Sequence, residues 1–141
     1  MILVNDANES KEQRATQYID DESALIAVDR LRFHVRDTGL LFSALARPRA
    51  SLFGDDAYPT VELKAAALVS SLAQNHPLFD GNKRLALYLS FAFLRINGRR
   101  VTFTNDQAFT FILSVAQSRL TLEEIAAQFA VHTESITTDP G

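Results

Sequence analysis

The feature that most constrains the fold is a long apolar run, NKRLALYLSFAFLRING, from Asn82 to Gly98. Its large apolar side chains fall on every side of a helical projection, and they are Leu85, Leu87, Leu89, Phe91, Phe93, Leu94 and Ile96. A helix that is apolar all round is buried in a core. The run therefore predicts a completely buried central helix that Gly98 ends.

Two helices are predicted near the start of the chain. An acidic beginning and apolar residues at helical spacing favour a helix from about 20 to 35. A short helix, DTGLLFSALARPR, follows, and Pro48 helps to end it. Residues 49 to 60 contain a glycine, two aspartates and a proline, so we predict one long loop there.

The helix before the apolar run has a clear beginning and end. Thr60 is the predicted N-cap, and apolar residues then recur at helical spacing. His76 ends this helix, because a residue before proline is disfavoured in the α region. Beyond the apolar run, caps at Thr104 and Thr121 predict two further helices.

Length and composition favour one domain. The chain has 141 residues, 47% hydrophobic and 22% charged, with only 5 glycines and 4 prolines. These values suit one helix-rich core. We predict an all-α fold, a compact single-domain helical bundle with the 82–98 helix at its centre. Its domain spans 19–137, between an N-terminal arm (1–18) and a frayed tail (138–141).

Several function classes are disfavoured by the same data. The net charge of −3 gives no electrostatic reason for direct nucleic-acid binding, and the absence of cysteine excludes thiol catalysis. No apolar run reaches the roughly 18 residues of a membrane span. The N-terminus, MILVNDANESKEQR, is unlike a signal peptide, so we expect a cytoplasmic protein without a membrane partner.

The stretch before the central helix, NHPLFDGNKR, is dense in polar chemistry. Asn82 is a predicted N-cap whose side-chain oxygen accepts from the backbone N–H of Arg84 or Leu85. Gly81 permits a positive φ or a close approach to a ligand. The helix N-terminus offers free N–H groups and a partial positive charge, which favour anions, phosphate included.

The charged side chains in this stretch suit phosphate chemistry. Lys83 and Arg84 are unfavourable in the first turn of a helix, which is the penalty expected of a site built for an anion. Asp80 could hold Mg²⁺ together with substrate phosphates. His76 could take a proton from an attacking hydroxyl.

A purely structural interpretation of these residues is the alternative. A capped polar loop between two helices is ordinary, His76 could bond a backbone carbonyl, and Asp80 could offset Lys83 and Arg84. The run of His, Asp, Gly, Asn, Lys and Arg within ten positions favours a functional site over chance.

The stretch from His76 to Arg84, HPLFDGNKR, resembles the Fic motif, H-x-F-x-[D/E]-G-N-[G/K]-R, in the version found in death-on-curing (Doc) toxins. The segments VRDTGLL (35–41), SALARPR (43–49) and YPT (58–60) also resemble that family, so the resemblance covers roughly residues 20 to 115. It implies the helical Fic/Doc fold for the domain.

The resemblance implies a transferase that uses ATP and Mg²⁺. Most Fic proteins transfer AMP to a protein hydroxyl, whereas Doc-like members transfer the γ-phosphate. Lys83 stands where AMP-transferring members have glycine, and Leu87 stands where they have a second arginine. Both departures favour the kinase-like Doc chemistry.

By the same resemblance, each motif residue receives a role. His76 is the general base for a Ser or Thr hydroxyl, Asp80 positions Mg²⁺, and Gly81 and Asn82 shape the phosphate nest. Lys83 and Arg84 bind the phosphates, since phosphoryl transfer depends on positioning and charge stabilisation. The implied target is a translation elongation factor of the Tu type, and the implied outcome is growth arrest.

Two features depart from the family pattern or extend it. The usual buried phenylalanine of the motif is Leu78, and we predict that leucine fills the same place while Phe79 faces outward. The 49–60 loop is either an ordinary connection or a flap that guides the target, in which case Phe53 and Tyr58 contact target or nucleotide.

Regulation in cis is not expected. Many Fic enzymes carry an inhibitory [S/T]-x-x-x-E-[G/N] motif, and no glutamate in this chain has Ser or Thr four residues before it. The resemblance instead implies an antitoxin in trans, whose disordered segment folds over the site. His34 and His132 fall on predicted helices and are interpreted as structural or surface residues.

Three function hypotheses follow. The first is a Doc-type toxin that transfers the γ-phosphate of ATP to a translation factor. The second is a Fic-type AMP transferase, and the third is a catalytically silent Fic fold that binds nucleotide or antitoxin. A helical nucleic-acid binder is disfavoured by the acidic balance.

Overall fold

The centre of the molecule is a pair of packed helices, each 15 residues long. The structure is a computed structural model that describes residues 16–136. Within that range the helices are α1 (Asp21–Arg30), α2 (Thr38–Ala46), α3 (Val61–Asn75), α4 (Asn82–Ile96), α5 (Asn105–Ala116) and α6 (Leu122–Val131). A 3₁₀ turn, Arg47–Arg49, follows α2. The predicted all-α class is confirmed.

The most enclosed helix is α3, which packs against α2, α4, α5, α6 and the 3₁₀ turn. Every residue from Lys64 to Ala73 in it is buried. Alanine and serine make up most of this segment, and small side chains let neighbouring helices approach on all sides. The helix that delivers its C-terminal end to the motif is therefore held firmly.

The expectation that α4 is buried on every side is wrong. One face is buried, through Leu85, Leu89 and Phe93 among others, but Tyr88 and Ile96 are 47% and 48% exposed. An apolar residue count does not say how many neighbours surround a helix, and apolar side chains also occupy protein surfaces. The helix ends close to Gly98, as predicted, with Asn97 as its C-cap.

Threonine caps begin three helices as predicted. The Thr60 side chain accepts from the Leu63 backbone N–H at 3.1 Å. Thr104 and Thr121 each form a full capping box, in which the side chain three residues later bonds back to the cap N–H. These local bonds satisfy donors that a helix cannot pair internally, so the sequence alone locates the starts.

The predicted helix from 20 to 35 ends early, at Arg30. The Phe33 N–H donates to the Val28 carbonyl and the Arg32 N–H to the Asp29 carbonyl, which is a Schellman motif. Arg32 holds the left-handed position, with φ of 62°. That position is usually glycine, so the sequence carries no stop signal here, and the chain instead becomes extended.

Two small antiparallel strand pairs complete the described part of the chain. A hairpin within the predicted 49–60 loop pairs β1 (Ser51–Leu52) with β2 (Asp55–Asp56). Phe53 and Gly54 at its tip both have positive φ, as in a type I′ turn. Farther on, β3 (Arg99–Val101) pairs with β4 (Thr133–Ser135), which joins the end of α4 to the end of α6.

The ends of the chain are only partly described. The predicted arm (1–18) and tail (138–141) lie mostly or wholly outside residues 16–136. At the described start, the Gln17 N–H donates to Asn97 Oδ1 at 2.7 Å, and the Tyr18 ring lies 6.1 Å from that of Phe93. No helix of residues 16–136 is long and apolar enough to cross a membrane.

Candidate active site

The predicted residues of the motif lie on the connection between the two central helices and on the first turn of the second. We call residues 76–81 the motif loop; it follows α3 and precedes α4. His76, the C-cap of α3, has φ 54° and ψ 60°, a left-handed conformation that is uncommon without glycine. Pro77 then prevents the helix from continuing. The loop thus begins with a sharp change of direction at the candidate base.

An extended strap, residues 33–37, runs alongside the motif loop. Val35 forms a β-bridge with Leu78, and the Phe79 N–H donates to the His34 carbonyl at 3.1 Å. The backbone N–H groups of Arg36 and Asp37 both donate to the Pro77 carbonyl, at 2.8 and 3.0 Å. His34 therefore lies on this strap and not on a helix, which corrects its predicted place.

The Arg36 side chain fixes the start of the motif loop. Its guanidinium donates from Nε and Nη2 to the His76 carbonyl, at 3.0 and 2.6 Å. Nη2 also lies 3.4 Å from the Asn75 carbonyl. These carbonyls end α3 and have no partner within the helix, so a cation there both satisfies them and offsets the helix dipole.

The prediction that Asn82 caps α4 is wrong. Its Oδ1 accepts from the Leu78 N–H at 2.8 Å, and its Nδ2 donates to the Leu78 carbonyl at 3.1 Å. Gly81 occupies the N-cap position and has no side chain to cap with. Asn82 already lies in the helix, and its side chain faces back into the loop. Its amide closes the loop by hydrogen bonding to both the N–H and the carbonyl of Leu78.

This arrangement leaves the start of α4 free to bind an anion. The backbone N–H groups of Asn82, Lys83 and Arg84 donate to no group within residues 16–136. Had the Asn82 side chain capped the helix, one of these donors would be occupied. Three free donors at a helix N-terminus form an anion site together with the helix dipole.

Gly81 is required by both conformation and space. Its φ is 88°, and a Cβ added there would lie 2.4 Å from Cε1 of Phe33 on the strap. The predicted positive φ is therefore found, and the close approach is to an aromatic ring of this chain. Its N–H donates to Asp80 Oδ1 at 2.9 Å, which orients that carboxylate beside the helix start.

The polar side chains of the motif converge on one cavity of about 480 Å³. It is lined by His76, Asp80, Gly81, Asn82, Lys83 and Arg84, with Phe33 and Phe79 as aromatic walls. His76 is exposed, and its Nδ1 lies 3.5 Å from Nδ2 of Asn82, at the limit of a hydrogen bond. The structure thus brings the polar side chains of the motif together in one cavity.

The two cations of the site are unpaired. Lys83 and Arg84 are exposed and form no ion pair with any residue in the described range. Asp80 lines the same cavity but forms no ion pair with either of them. Two free cations beside three free backbone donors make a strongly anion-attracting cavity.

The chemistry of this donor set fits Mg²⁺ held with a nucleotide. Asp80 supplies a carboxylate at the cavity, and Mg²⁺ in nucleotide sites takes one or two carboxylates plus phosphate oxygens and water. Residues 16–136 contain no cluster of three or more His, Cys, Asp or Glu that would hold a metal by protein groups alone. Asp80 is thus the residue that could hold the ion.

The two apolar motif positions lie as predicted. Leu78 is 1% exposed and belongs to the core, whereas Phe79 is 72% exposed. Leucine therefore fills the buried place of the usual phenylalanine. The Phe79 side chain is left on the cavity wall, where a bound molecule could contact it.

The two predicted flap residues lie elsewhere. Phe53 is 97% exposed at the tip of the β1–β2 hairpin. Tyr58 is half-buried, and its hydroxyl accepts from Nε of Arg47 at 2.9 Å. Neither side chain lines the cavity of the motif loop. Tyr58 supports the base of the hairpin, and Phe53 alone is presented outward.

Sequence reasoning missed Arg36 and Phe33. Both fell within or beside the over-long predicted helix, and neither is a typical catalytic type in that setting. The only available signal was the family-like segment that begins at Val35. Arg36 contacts His76 and Phe33 contacts Gly81 because the strap runs beside the motif loop. No local sequence pattern predicts that arrangement.

Comparison with known proteins identifies the family of this chain. A model of the Fic/DOC family matches residues 8–94, which include the whole motif loop and most of α4. This chain belongs to the Fic/DOC family. It is also similar to a protein named Toxin Doc from Mycolicibacterium smegmatis (strain ATCC 700084 / mc(2)155). The two are 45% identical over 120 residues, which cover 82% of this chain and 92% of that protein.

Proposed function

We propose that this protein is a Doc-like toxin that transfers the γ-phosphate of ATP to a Ser or Thr hydroxyl of a translation factor. The elongation factor of the Tu type is the proposed target, and the cytoplasm, where translation occurs, is the proposed place of action. The observation that carries the proposal is an exposed histidine in the same cavity as two unpaired cations and a free helix N-terminus.

The first task of the site is to hold a phosphate chain. The free N–H groups at the start of α4 and the Lys83 ammonium supply donors around it, and the Arg84 guanidinium supplies a planar fork. Asp80 would hold Mg²⁺, which when bound supplies charge neutralisation on the phosphate oxygens. Charge that develops during transfer is thereby met by groups already in place.

The second task is to accept a proton from the attacking hydroxyl. His76 is exposed to the cavity, and its Nδ1 lies 3.5 Å from Nδ2 of Asn82. A contact this long leaves the imidazole free for proton transfer. Histidine is a common general base around neutral pH.

Two positions support γ-phosphate transfer over AMP transfer. Lys83 extends a long cationic side chain where AMP-transferring members have glycine, and it has no carboxylate partner in the described range. Leu87, at the place of their second arginine, is partly buried against the core. A cation needed for the AMP-transfer pose is therefore missing at that point of α4.

The proposal includes an antitoxin in trans. Its support is the name of the 45% identical relative and the absence of the inhibitory glutamate motif from this sequence. A toxin without a restraint in its own chain needs one from a partner. Expression with the adjacent open reading frame should then rescue growth that expression of this chain alone arrests.

The test is a transfer assay with purified elongation factor Tu, Mg²⁺ and ATP labelled on either the α- or the γ-phosphate. We expect label on the factor from γ-labelled ATP only. His76→Ala should abolish it while changing the melting temperature little, because the side chain is exposed.

Other results would overturn parts of the proposal. Label from α-labelled ATP would make the protein an AMP transferase. No label with the elongation factor, but label on another protein in a whole lysate, would reject the target and keep the chemistry. No label on any protein would identify a catalytically silent fold.

A further inference from the structure

We propose that Arg36 is a positioning residue that sets the pose of the His76 imidazole. The inference rests on the proposed role of His76 as the base and adds a residue from outside the motif. Arg36 lies 40 positions before His76 in the sequence, yet its guanidinium makes two hydrogen bonds to the His76 carbonyl.

In the peptide between His76 and Pro77, only the carbonyl oxygen can form a hydrogen bond. Proline has no N–H, so this peptide offers the loop a carbonyl oxygen and no donor. Two hydrogen bonds reach that oxygen, and both come from the Arg36 side chain, at 3.0 and 2.6 Å. Without them, nothing in the hydrogen-bond pattern fixes the rotation of this peptide plane.

The left-handed conformation of His76 depends on such restraints. A non-glycine residue at φ 54° and ψ 60° persists when its surroundings hold it there. Rotation about the N–Cα bond of His76 moves its carbonyl and its Cβ together, so holding the carbonyl limits how far the imidazole can swing. The direction of the imidazole ring in the cavity therefore depends on the two hydrogen bonds from Arg36.

The rest of the loop is held independently of the Arg36 side chain. The Pro77 carbonyl accepts from the backbone N–H groups of Arg36 and Asp37, and Leu78 is held by Asn82. These bonds survive any substitution of the Arg36 side chain. Loss of the guanidinium should therefore disturb His76 selectively, leaving the phosphate end of the site in place.

A cap of α3 is the competing explanation for the same contacts, because Arg36 also approaches the Asn75 carbonyl. A cap affects stability alone. A positioning residue affects the ring of His76 and the turnover number, with little change in the KM for ATP.

The experiment compares two variants of Arg36. Arg36→Gln removes the positive charge and the paired guanidinium donors, whereas Arg36→Lys keeps the charge and a single ammonium donor. Arg95→Gln is the control, since Arg95 is exposed and its side chain forms no hydrogen bond or ion pair within residues 16–136. The full chain has three histidines, so ring NMR signals are readily assigned by a His76→Ala variant. His132, away from the strap, is the internal reference.

We expect Arg36→Gln to shift or broaden the His76 ring signals and leave those of His132 in place. Its kcat should fall about ten-fold or more with the KM for ATP within about two-fold, and Arg36→Lys should recover part of both. Unchanged His76 signals in both Arg36 variants would overturn the proposal and leave Arg36 a helix cap. Because the NMR readout needs no turnover, it decides this point even if the proposed transfer activity is absent.

Discussion

The motif loop and the β1–β2 hairpin are both turns beside α3, but they are held in different ways. The motif loop is held by backbone bonds from the strap and by the side chains of Arg36 and Asn82. The hairpin is joined to α3 through the ion pair of Asp56 with Lys64. Many independent bonds hold the motif loop closely, whereas fewer polar contacts leave the hairpin more able to adapt.

The largest effect is expected from substituting two glycines of nearly equal φ, Gly81 at 88° in the motif loop and Gly54 at 86° in the hairpin. Alanine at either position is strained by about 1–2 kcal/mol. At Gly81 its Cβ would also meet Phe33 at 2.4 Å, whereas at Gly54 nothing lies within 4 Å. We expect Gly81→Ala to lower the free energy of unfolding by roughly 3 kcal/mol, because overpacking adds to the strain.

Urea unfolding of the two variants measures the difference directly. Gly54→Ala should lose only about 1 kcal/mol and should keep transfer activity, while Gly81→Ala should lose activity as well. Equal losses of stability in the two variants would show that the Phe33 contact does not constrain the motif loop.

The next largest effect concerns the link of the hairpin to α3. Lys64 is 2% exposed, and its Nζ lies 3.1 Å from Asp56 Oδ2 and 3.3 Å from the Pro48 carbonyl. Asp56→Asn leaves the buried ammonium without its counter-charge. We expect a loss of roughly 1–2 kcal/mol, below the 3–5 kcal/mol of a fully buried pair, since the Asp56 side chain is 57% exposed.

Lys64→Met is the matched control, because it removes the buried charge and keeps a long apolar side chain. It should change stability by less than about 1 kcal/mol, since the exposed Asp56 is resolvated. Hydrogen exchange of the hairpin amides should accelerate in both variants while the amides of the motif loop stay protected. Acceleration at the motif loop instead would mean that the two regions are not held independently.

The next effect concerns the charge of Lys83 at the start of α4. Lys83→Gly should lower γ-phosphate transfer by about ten-fold or more, because it removes a charge-assisted contact to phosphate. Lys83→Met, which keeps a good helix former, separates the loss of charge from the loss of helix propensity. If γ-phosphate transfer stayed at the wild-type rate in both variants, the role assigned to Lys83 would be wrong.

The smallest effect is expected at the tip of the hairpin. Phe53 is 97% exposed, so Phe53→Ser should leave the melting temperature unchanged. If Phe53 docks the target, the KM for the protein substrate rises and the KM for ATP does not. Phe109→Ser, at another exposed phenylalanine (63%), is the control. Equal kinetics for the two variants would remove the hairpin from target recognition.

The parts of the fold that local rules determine were predictable. The caps at Thr60, Thr104 and Thr121 depend on side chains within three residues, and His76 before Pro77 ends α3 for a steric reason. The caps and the helix end are decided by neighbours in the sequence, whereas the burial of Leu78 was expected from the resemblance to the Fic motif.

The features that were missed have no recognisable signal in the sequence. Arg32 takes the left-handed position of a Schellman motif without the glycine that would have announced it. Asn82 looked like a cap because nothing local shows that its amide bonds to Leu78 instead. Lys64 is buried by groups that only the folded chain brings together. Contacts with more distant segments bury Lys64, whereas the bonds at Arg32 and Asn82 join residues at most five positions apart that no sequence rule singles out.

The central claim is that the start of α4, with Lys83 and Arg84, is a site for the terminal phosphates of a nucleotide. Calorimetric titration with ATP, ADP and AMP, each with Mg²⁺ at one ionic strength, tests it most directly. We expect affinity to fall from ATP to ADP to AMP, and the Lys83→Gln/Arg84→Gln double variant to bind ATP at least about ten-fold more weakly. Equal affinity for the three nucleotides, or wild-type affinity in the double variant, would contradict the claim.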